Sequence, residues 1–581
     1  AIVVGVLWNT FDLSVDPRVL QFWSQTCRVA TCARFVNPVR RTLQAARPIR
    51  AGEIVAEIPR SIQIWDVDAL RDDFVQTELI SARHDGTRNR LSSGAFLAAY
   101  LAMQHQKYNL ENHDGADNTT TIKVNDPFPK VYFTLLPTWE EMSDHPLTWP
   151  VEELVETLGR GSLSFGIALA HHEMVDSEYR AFTQVSSTFA SKINQTSYRL
   201  ARLWVMTRSF NPGLRGIHNE LVDDDERQLL SSNVLTDFTK GCHAMVPILD
   251  LLNHHPTPNV AYSYNPDTRS FVITAQRTIP AGFEIYDSYG KFSDSHLFAK
   301  FGFVNGDGSG YTQASIAPFH RMLDYQIGGE FSHLSDSAMP HIQESQRQGL
   351  LRYLQYDDGY VDCIPGPEAG EAWTLKELKY QHLVQMANEA SRWILTLGPR
   401  RPQSQPVESS LLSILDDAPD IDLRTVRLNF EPLLETCRLL SMIHTDFNGQ
   451  AISLLRQHLN MKFFTIERDT DALEYRAFMC LGRLARSSLM TFEPRTVTDE
   501  IEHVAQLNRD AFGTRNWTTA HVRLGEMQTL HALSRIAFGH LKQLQEQLSE
   551  PIPPEYTVRG RSCPKETVAA LGLHSLHESK N

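Results

Sequence analysis

The residues best suited to chemistry lie within residues 241–304. Asp250-Leu-Leu-Asn253-His254 follows a short apolar run there, and Tyr289-Gly290 follows a Pro280-Ala-Gly282 turn. Amide, imidazole and phenol groups between apolar strands are typical of a small polar site on a rigid scaffold. Such groups can hold a ligand by hydrogen bonds and orient a reacting atom. The adjacent histidines His254 and His255 are not a metal signature, because neighbouring residues rarely face the same ion.

Each of these residues also has a plainer interpretation. Tyr289 fits an ordinary buried tyrosine with a satisfied hydroxyl, and His254 with His255 fits a turn after a strand. Arg208, near the end of a predicted helix, fits a surface ion pair. Taken singly, the plainer interpretations are the commoner ones, so only a joint pattern can overturn them.

Two blocks of strands must position the polar residues. Upstream, residues 43–46 and 53–58 flank a turn, and Ile54, Ala56 and Ile58 recur at the period of two that favours a strand. Downstream, strands are predicted over residues 244–249, 260–264 and 271–275. Neither block has enough strands to bury a core alone, so we expect the two blocks to form one β-rich domain.

Helical periodicity fills the sequence between and after the strand blocks. Helices are predicted over residues 92–107, 177–190 and 198–208, with a polar loop at 109–125. Thr374-Leu-Lys-Glu377 is a capping box that opens a helix with Ile394 and Leu397 on its apolar stripe. Further helices are predicted over residues 422–444, 473–488, 498–512 and 518–548.

These patterns predict an α+β chain with two main domains. The first, residues 34–310, contains the strand blocks 34–65 and 241–304 and a helical insertion at about 66–240. The second, residues 311–549, is expected to be all-α. An extension at 1–33 precedes them, and an irregular tail at 550–581 follows.

The composition narrows the function classes. The 581 residues carry a formal net charge of -14, which argues against a broad nucleic-acid surface and suits a basic protein partner. No apolar run approaches the ~20 residues that cross a bilayer. The seven cysteines do not suggest a disulfide framework, so an intracellular setting is expected. Residues 17–52 hold seven arginines and no acidic residue, and the first residue is not Met, so mitochondrial import is an alternative to the cytoplasm or nucleus.

The joint pattern resembles the SET domain of protein methyltransferases. The landmarks of the second half are Asp250-x-x-Asn253-His254, Pro280-Ala-Gly282, Tyr289-Gly290-x-x-Ser293 and Phe301-Gly302-Phe303. Residues 43–60 resemble the first half. Tyr132-Phe-x-Leu-Leu-Pro137, Pro146-Leu-x-Trp149 and Arg523-Leu-Gly525-Glu526 resemble the subclass of the Rubisco large-subunit lysine methyltransferases and the actin-histidine methyltransferase. The resemblance covers roughly residues 35–545.

The resemblance implies methyl transfer from S-adenosylmethionine to a lysine or histidine of a protein that docks on the helical C-terminal domain. Nucleic acid, a membrane and a metal ion are not expected as partners. Tyr289 is the implied catalytic residue, and Phe301 and Tyr264 are implied channel residues. The implied cofactor-binding residues are Arg41, Thr42, Leu43, Arg208, Asn253, His254, Tyr289 and Phe303.

The sequence also departs from the family pattern. The usual Gly-x-Gly-Leu is replaced by Arg40-Arg41-Thr42-Leu43, and these side chains could either donate to the cofactor carboxylate or fill the pocket. Phe301 stands where a tyrosine is common, and Met527 stands where a lysine is common. The alternative is therefore a catalytically impaired SET-fold protein that serves as a binding or assembly factor.

Overall fold

The computed structural model of the protein describes part of the chain. The described residues are 28–29, 33–37, 42–84, 91–113, 132–133, 135–159, 161–210, 243–290, 292–305, 312–316, 394–399, 426–431, 433–434, 437–438, 471–492, 494–507 and 514–547. Arg40 and Arg41 lie outside them. Within this part of the chain, none of the helices combines the length and apolar character that crossing a bilayer requires.

The strands and helices are numbered in chain order. The strands are β1 (Arg28–Val29), β2 (Ala33–Asn37), β3 (Thr42–Ala45), β4 (Ile54–Pro59), β5 (Ile64–Trp65), β6 (Ser209–Phe210), β7 (Ala244–Met245), β8 (Asn253–His254), β9 (Val260–Asn265), β10 (Ser270–Ala275), β11 (Tyr286–Asp287), β12 (Thr312–Ser315), β13 (Ile394–Pro399) and β14 (Val426–Asn429). The helices are α1 (Asp66–Arg71), α2 (Ser93–His113), α3 (Val151–Leu158), α4 (Leu163–Val185), α5 (Ser187–Lys192), α6 (Gln195–Arg208), α7 (Asp294–Phe301), α8 (Asp471–Met490), α9 (Val497–Gln506) and α10 (Arg515–Gln547).

The first compact unit comprises Ala1–Thr148 and His172–Lys291. Its largest sheet has the order β1-β4-β10-β9 and is antiparallel, with β4 of the upstream block paired to β10 of the downstream block. A second sheet has the order β5-β7-β6. The prediction that the two strand blocks combine is confirmed, because strands from both blocks share hydrogen bonds in each of these two sheets.

A bulge in β4 changes the predicted alternation. Ile273 pairs with Ala56 while the next residue, Thr274, pairs with Ile54, so Val55 is the extra residue on its strand. An extra residue shifts the side chains beyond it to the opposite face. Val55 is therefore buried and Ile54 is 51% exposed, although the sequence predicts Ile54 on the inward face.

The helical insertion of the first unit is built around α2 and α6. Phe96 of α2 packs edge-on against Phe182 of α4, with ring centroids 5.4 Å apart. The side chain of Asn194 caps α6 by accepting the backbone N–H of Ser197 at 2.8 Å. The predicted loop at 109–125 is wrong over its first residues, because α2 continues to His113; residues 114–125 lie outside the described part.

The second compact unit comprises Trp149–His171 and Phe292–Asn581. The helices α8, α9 and α10 agree with the predicted helices to within a few residues at their starts. Their buried faces form one apolar core with α3, the start of α4 and α7. The domain limits 34–310 and 311–549 differ from this division into units and stay a prediction.

A small sheet makes the C-terminal region mixed rather than all-α. The strands β12, β13 and β14 form a three-stranded antiparallel sheet. Ile394 and Leu397, predicted on a helical stripe, lie in β13, and the start of the helix predicted over 422–444 is strand β14. Leu397 pairs with Leu428 across the sheet. Tertiary pairing thus overrides the local periodicity at both places, while the α+β class is confirmed.

Candidate functional site

A strained turn introduces the Asn-His segment. Ile248 has φ 71, a left-handed value that is a genuine outlier for a β-branched residue. It redirects the chain from β7 into a single turn of 3₁₀ helix, Leu249–Leu251. The predicted strand over 244–249 is therefore cut to two residues. Because Leu249 and Leu251 are buried, the turn is anchored in the core and fixes where Asn253 and His254 emerge.

The two predicted motifs meet in a short parallel pairing. In the register of β8 with β11, Asn253 is opposite Tyr286 and His254 is opposite Asp287. The backbone N–H of His255 donates to the carbonyl of Asp287 at 2.9 Å. This pairing places Tyr289, two residues beyond β11, beside His254.

Tyr289 is held at both its backbone and its hydroxyl. Its hydroxyl donates to the carbonyl of Leu252 at 2.9 Å, and its backbone N–H donates to Nδ1 of His254 at 3.0 Å. The two rings lie 5.4 Å apart between centroids. Desolvation of the hydroxyl raises the pKa of Tyr289 to about 12, so the phenol stays neutral at physiological pH.

His254 is a neutral hydrogen-bond acceptor. Burial, followed by the neighbouring His255, lowers the pKa of His254 to about 4. Because Nδ1 accepts the Tyr289 N–H, the single proton of the neutral ring belongs on Nε2. The tautomer is thus fixed by the backbone of the residue that the sequence identifies as catalytic.

Asn253 links the two halves of the predicted site. Its side-chain amide donates to Oε1 of Glu284 at 2.6 Å. The next residue, Ile285, donates its N–H to the carbonyl of Leu43 at 2.8 Å. Leu43 is buried on β3, the strand that begins at Thr42. The upstream and downstream halves of the site are therefore brought together, with Arg41 outside the described residues.

Arg208 reaches the start of the Asn-His segment from the end of α6. Its Nη1 donates to the carbonyl of Asp250 at 2.7 Å. The carboxylate of Asp250 accepts the hydroxyl of Tyr132 at 2.6 Å, and both of these residues are buried. Among the residues that the structure describes, none accepts from the buried Nε of Arg208. Arg208 thus holds the backbone at Asp250, and its Nε–H is a donor without an acceptor among the described residues.

The predicted channel residues, Tyr264 and Phe301, pack against aromatic side chains. Tyr264, on β9, packs against Trp65 and Phe271 at centroid distances of 5.7 and 5.1 Å. In the second unit, Phe301 and Phe303 pack together at 6.1 Å. Their roles in a channel, and that of Phe303 at a cofactor, stay predictions.

Asp287 and Tyr262 are not among the residues predicted for the site. Asp287 is 5% exposed, and burial raises the pKa of its carboxyl group to about 6. A hydrogen bond from the backbone N–H of Ser288 lowers this pKa by a smaller amount. Burial, followed by the charge of Asp287, raises the pKa of Tyr262. The available signal was an acidic residue two residues before Tyr289, in the short run 283–288.

A family model described as the SET domain matches residues 40–290. Over these residues the chain is similar to the SET-domain family. The match begins at the replaced glycine segment and ends at Gly290, so it contains the insertion and most of both strand blocks. The predicted family is confirmed by this match.

Curated relatives are similar over part of their length. The chain is 28% identical over 271 residues to N-lysine methyltransferase SETD6 of Mus musculus, covering 45% of this chain and 47% of the relative. It is 28% identical over 183 residues to N-lysine methyltransferase setd6 of Xenopus laevis, covering 30% of this chain and 36% of the relative. The chain therefore spans less than half the length of each.

Solved structures share the fold. The SET domain of LSMT bound to lysine and AdoHcy superposes with a TM-score of 0.51 at 14% identity, covering 92% of this chain and 93% of that one. Rubisco LSMT bound to AdoMet superposes with a TM-score of 0.50 at 14% identity, covering 91% and 94%. At this identity the likeness shows the fold, and it confirms the predicted Rubisco-methyltransferase type of fold.

Proposed function

We propose that this protein is an S-adenosylmethionine-dependent protein methyltransferase that modifies a lysine or histidine side chain. The observation that carries the proposal is the position of Tyr289, fixed by Leu252 and His254 beside Asn253 within a SET domain. The names of the relatives, N-lysine methyltransferases, and the AdoMet, AdoHcy and lysine in the titles of the similar structures support it.

The residues of the site fit such a cofactor. The buried, unaccepted Nε of Arg208 is a charged donor that suits a carboxylate. Arg208 also bonds the carbonyl of Asp250, at the start of the segment that leads to Asn253 and His254. Gly290, the residue after Tyr289, has φ 121, a conformation that favours glycine. The sulfonium of the bound cofactor supplies an activated methyl group.

Tyr289 can orient the acceptor nitrogen. Its hydroxyl donates its proton to the carbonyl of Leu252, so the phenol oxygen would meet an acceptor N–H as a hydrogen-bond acceptor. A lysine has an ordinary pKa of about 10.4, and burial in an apolar channel lowers that pKa toward the neutral, nucleophilic amine. A phenol that stays neutral does not counteract this shift, since it carries no charge.

Cofactor binding is expected to depend on Asn253. In calorimetric titrations of the full chain with S-adenosylmethionine, Asn253→Ala is expected to weaken binding at least about tenfold, because Glu284 loses its partner and the β8 edge loosens. Gln195→Ala removes an exposed amide of the same unit and is the matched control, with unchanged affinity expected. Folded wild-type protein that shows no binding at millimolar cofactor would refute the proposed function.

Methyl transfer is expected to require the Tyr289 hydroxyl while cofactor binding does not. With labelled cofactor and fractionated cell protein as acceptor, Tyr289→Phe is expected to reduce incorporation about 10²-fold, the scale of a lost orienting or acid–base group. The calorimetric affinity for the cofactor should stay within a factor of a few. Equal incorporation by Tyr289→Phe would remove Tyr289 from the mechanism.

The remaining parts of the proposal rest on sequence. A protein substrate docked on the C-terminal helical region and an intracellular location, with mitochondrial import as one alternative, are proposed on the grounds given above. The catalytically impaired alternative depends on Arg40 and Arg41, and the cofactor titration of the wild type decides it. The expectation of a metal-free site stays a prediction.

A further inference from the structure

Asp287 is a buried carboxylate with an unused oxygen. The residue is 5% exposed, and its Oδ2 has no hydrogen-bond partner among the described residues. Buried acidic side chains are almost always paired, because desolvating a charge is costly. An oxygen without a donor among the described residues therefore points to a partner outside them, and a bound ligand group is the partner that we consider.

The surroundings of Asp287 place this oxygen in the methyl-transfer region. In the β8–β11 register Asp287 is opposite His254, whose ring accepts from the backbone of Tyr289. Burial is the main cause of the raised pKa of the Tyr289 and Tyr262 hydroxyls, and the nearby charge of Asp287 adds to it. Among the described residues, Tyr262 on β9 and Tyr289 beyond β11 interact with the charge of Asp287, and His254 on β8 lies opposite it; none of these three is a cation at neutral pH. The cation Arg208 acts on Tyr289 from the end of α6.

We propose, resting on the proposed methyltransferase function, that the Asp287 carboxylate is the counter-ion for the acceptor side chain and selects a cationic amine. A lysine ammonium has three N–H donors and a full charge, whereas a neutral imidazole offers one donor. The proposal therefore assigns lysine rather than histidine as the acceptor class.

The contact between the lysine ammonium and the Asp287 carboxylate also allows the ammonium to lose a proton and become the neutral, nucleophilic amine. One N–H bond of the ammonium breaks, the proton forms an O–H bond on Asp287, and the electron pair stays on the nitrogen. In a poorly solvated site the resulting neutral pair competes well with the ion pair, because both charges lose hydration there. Asp287 then holds the proton while the free amine attacks.

The test uses n-butylamine, which carries the charge and stem of a lysine side chain, and 4-methylimidazole, which represents histidine. Each is titrated calorimetrically into the full chain at pH 8, with and without S-adenosylhomocysteine. We expect wild type to bind the amine at least about tenfold more tightly than the imidazole. Asp287→Asn, which keeps the shape and removes the charge, is expected to abolish this preference. Asp267→Asn makes the same chemical change in an exposed turn and should leave it intact.

A second measurement needs no variant at this position. Since the carboxylate must be ionised to hold the amine, wild-type affinity for n-butylamine should fall about tenfold between pH 7 and pH 5, as expected for a pKa of about 6. Binding of the amine by Asp287→Asn with wild-type affinity, or wild-type binding without pH dependence, would overturn the proposal. If the wild-type protein does not bind S-adenosylhomocysteine, the proposed function is refuted. The titrations without S-adenosylhomocysteine would still decide the role of Asp287.

Discussion

Replacing Arg202 with methionine is expected to destabilise the protein by about 3–5 kcal/mol, the range for breaking a buried ion pair on one side. Arg202 on α6 is fully buried, and its Nε lies 2.9 Å from Oε2 of Glu178 on α4, which is also buried. The same carboxylate oxygen accepts the hydroxyl of Tyr198 at 2.9 Å. The substitution would leave Glu178 as a buried charge without its cation.

Urea denaturation followed by far-ultraviolet circular dichroism measures this effect. The matched control is Arg199→Met, since Arg199 joins the same two helices to Asp176 at 2.7 Å but both side chains are partly exposed. Exposed pairs contribute about 0–1 kcal/mol, so the control should cost far less. The double variant Arg202→Met/Glu178→Leu should recover most of the loss, because it removes both charges. Equal losses for Arg202→Met and Arg199→Met would contradict the expectation.

The ion pair also matters for the site. Helix α6 ends at Arg208, whose guanidinium fixes the Asp250 carbonyl at the start of the Asn-His segment. Arg202 and Arg208 are separated by less than two helical turns. Holding α6 at Arg202 therefore positions the donor that we assign to the cofactor.

Asn253, His254 and Tyr289 could be singled out from the sequence because the motifs that contain them are local, whereas their proximity depends on the long-range pairing of β8 with β11. The turn residues Pro280 and Gly282 and the apolar run 271–275 before them are visible in the chain. Their joint spacing resembles one fold, which the family model and the structure confirm. The sequence could not show that Asp287 lies opposite His254 or that its carboxylate is buried, because both depend on a long-range strand register.

The strand β13 was predicted as a helix from the sequence. The residues from Ile394 to Leu397 satisfy a helical stripe when they are read with the residues before them. In the structure they pair with β12 and β14, and Leu395 is buried. Short apolar runs fit either period, so the partner strands decide the conformation. Residues 374–393 of the same predicted helix lie outside the described part of the chain.

Glu526→Ala is expected to destabilise the second unit by about 3–5 kcal/mol. Glu526 on α10 is buried, and its carboxylate accepts the backbone N–H groups of Leu163 and Ser164 at 3.0 and 2.9 Å. It also accepts the hydroxyls of Ser164 and Ser295. The first N–H groups of a helix have no partner within it, so Glu526 satisfies the start of α4 from another helix. Removing it leaves two buried N–H groups unsatisfied at about 1–3 kcal/mol each, with the loss of the hydroxyl contacts added.

The charge of Glu526 matters less than its oxygens. Burial raises the pKa of Glu526, while the hydrogen bonds from Ser164, Ser162 and Ser295 lower it by less. A folded-state pKa above the unfolded value means that this group contributes stability at low pH and loses it as the pH rises through the folded pKa. Glu526→Gln keeps one acceptor oxygen and turns an NH2 donor toward the other N–H group, so it should cost less than Glu526→Ala but more than nothing.

The stability losses of a buried and an exposed glutamate variant show whether Glu526 acts as a buried helix cap. Urea denaturation of Glu526→Ala at pH 5 should show a larger loss relative to wild type than the same measurement at pH 8. Glu502→Ala removes an exposed carboxylate from α9 and should stay within about 0.5 kcal/mol of wild type. A Glu526→Ala loss no larger than that of Glu502→Ala would show that the cap is dispensable. If the cap holds, Glu526 acts as a structural residue at the start of α4, and its place in the Arg523-Leu-Gly525-Glu526 motif reflects packing rather than catalysis.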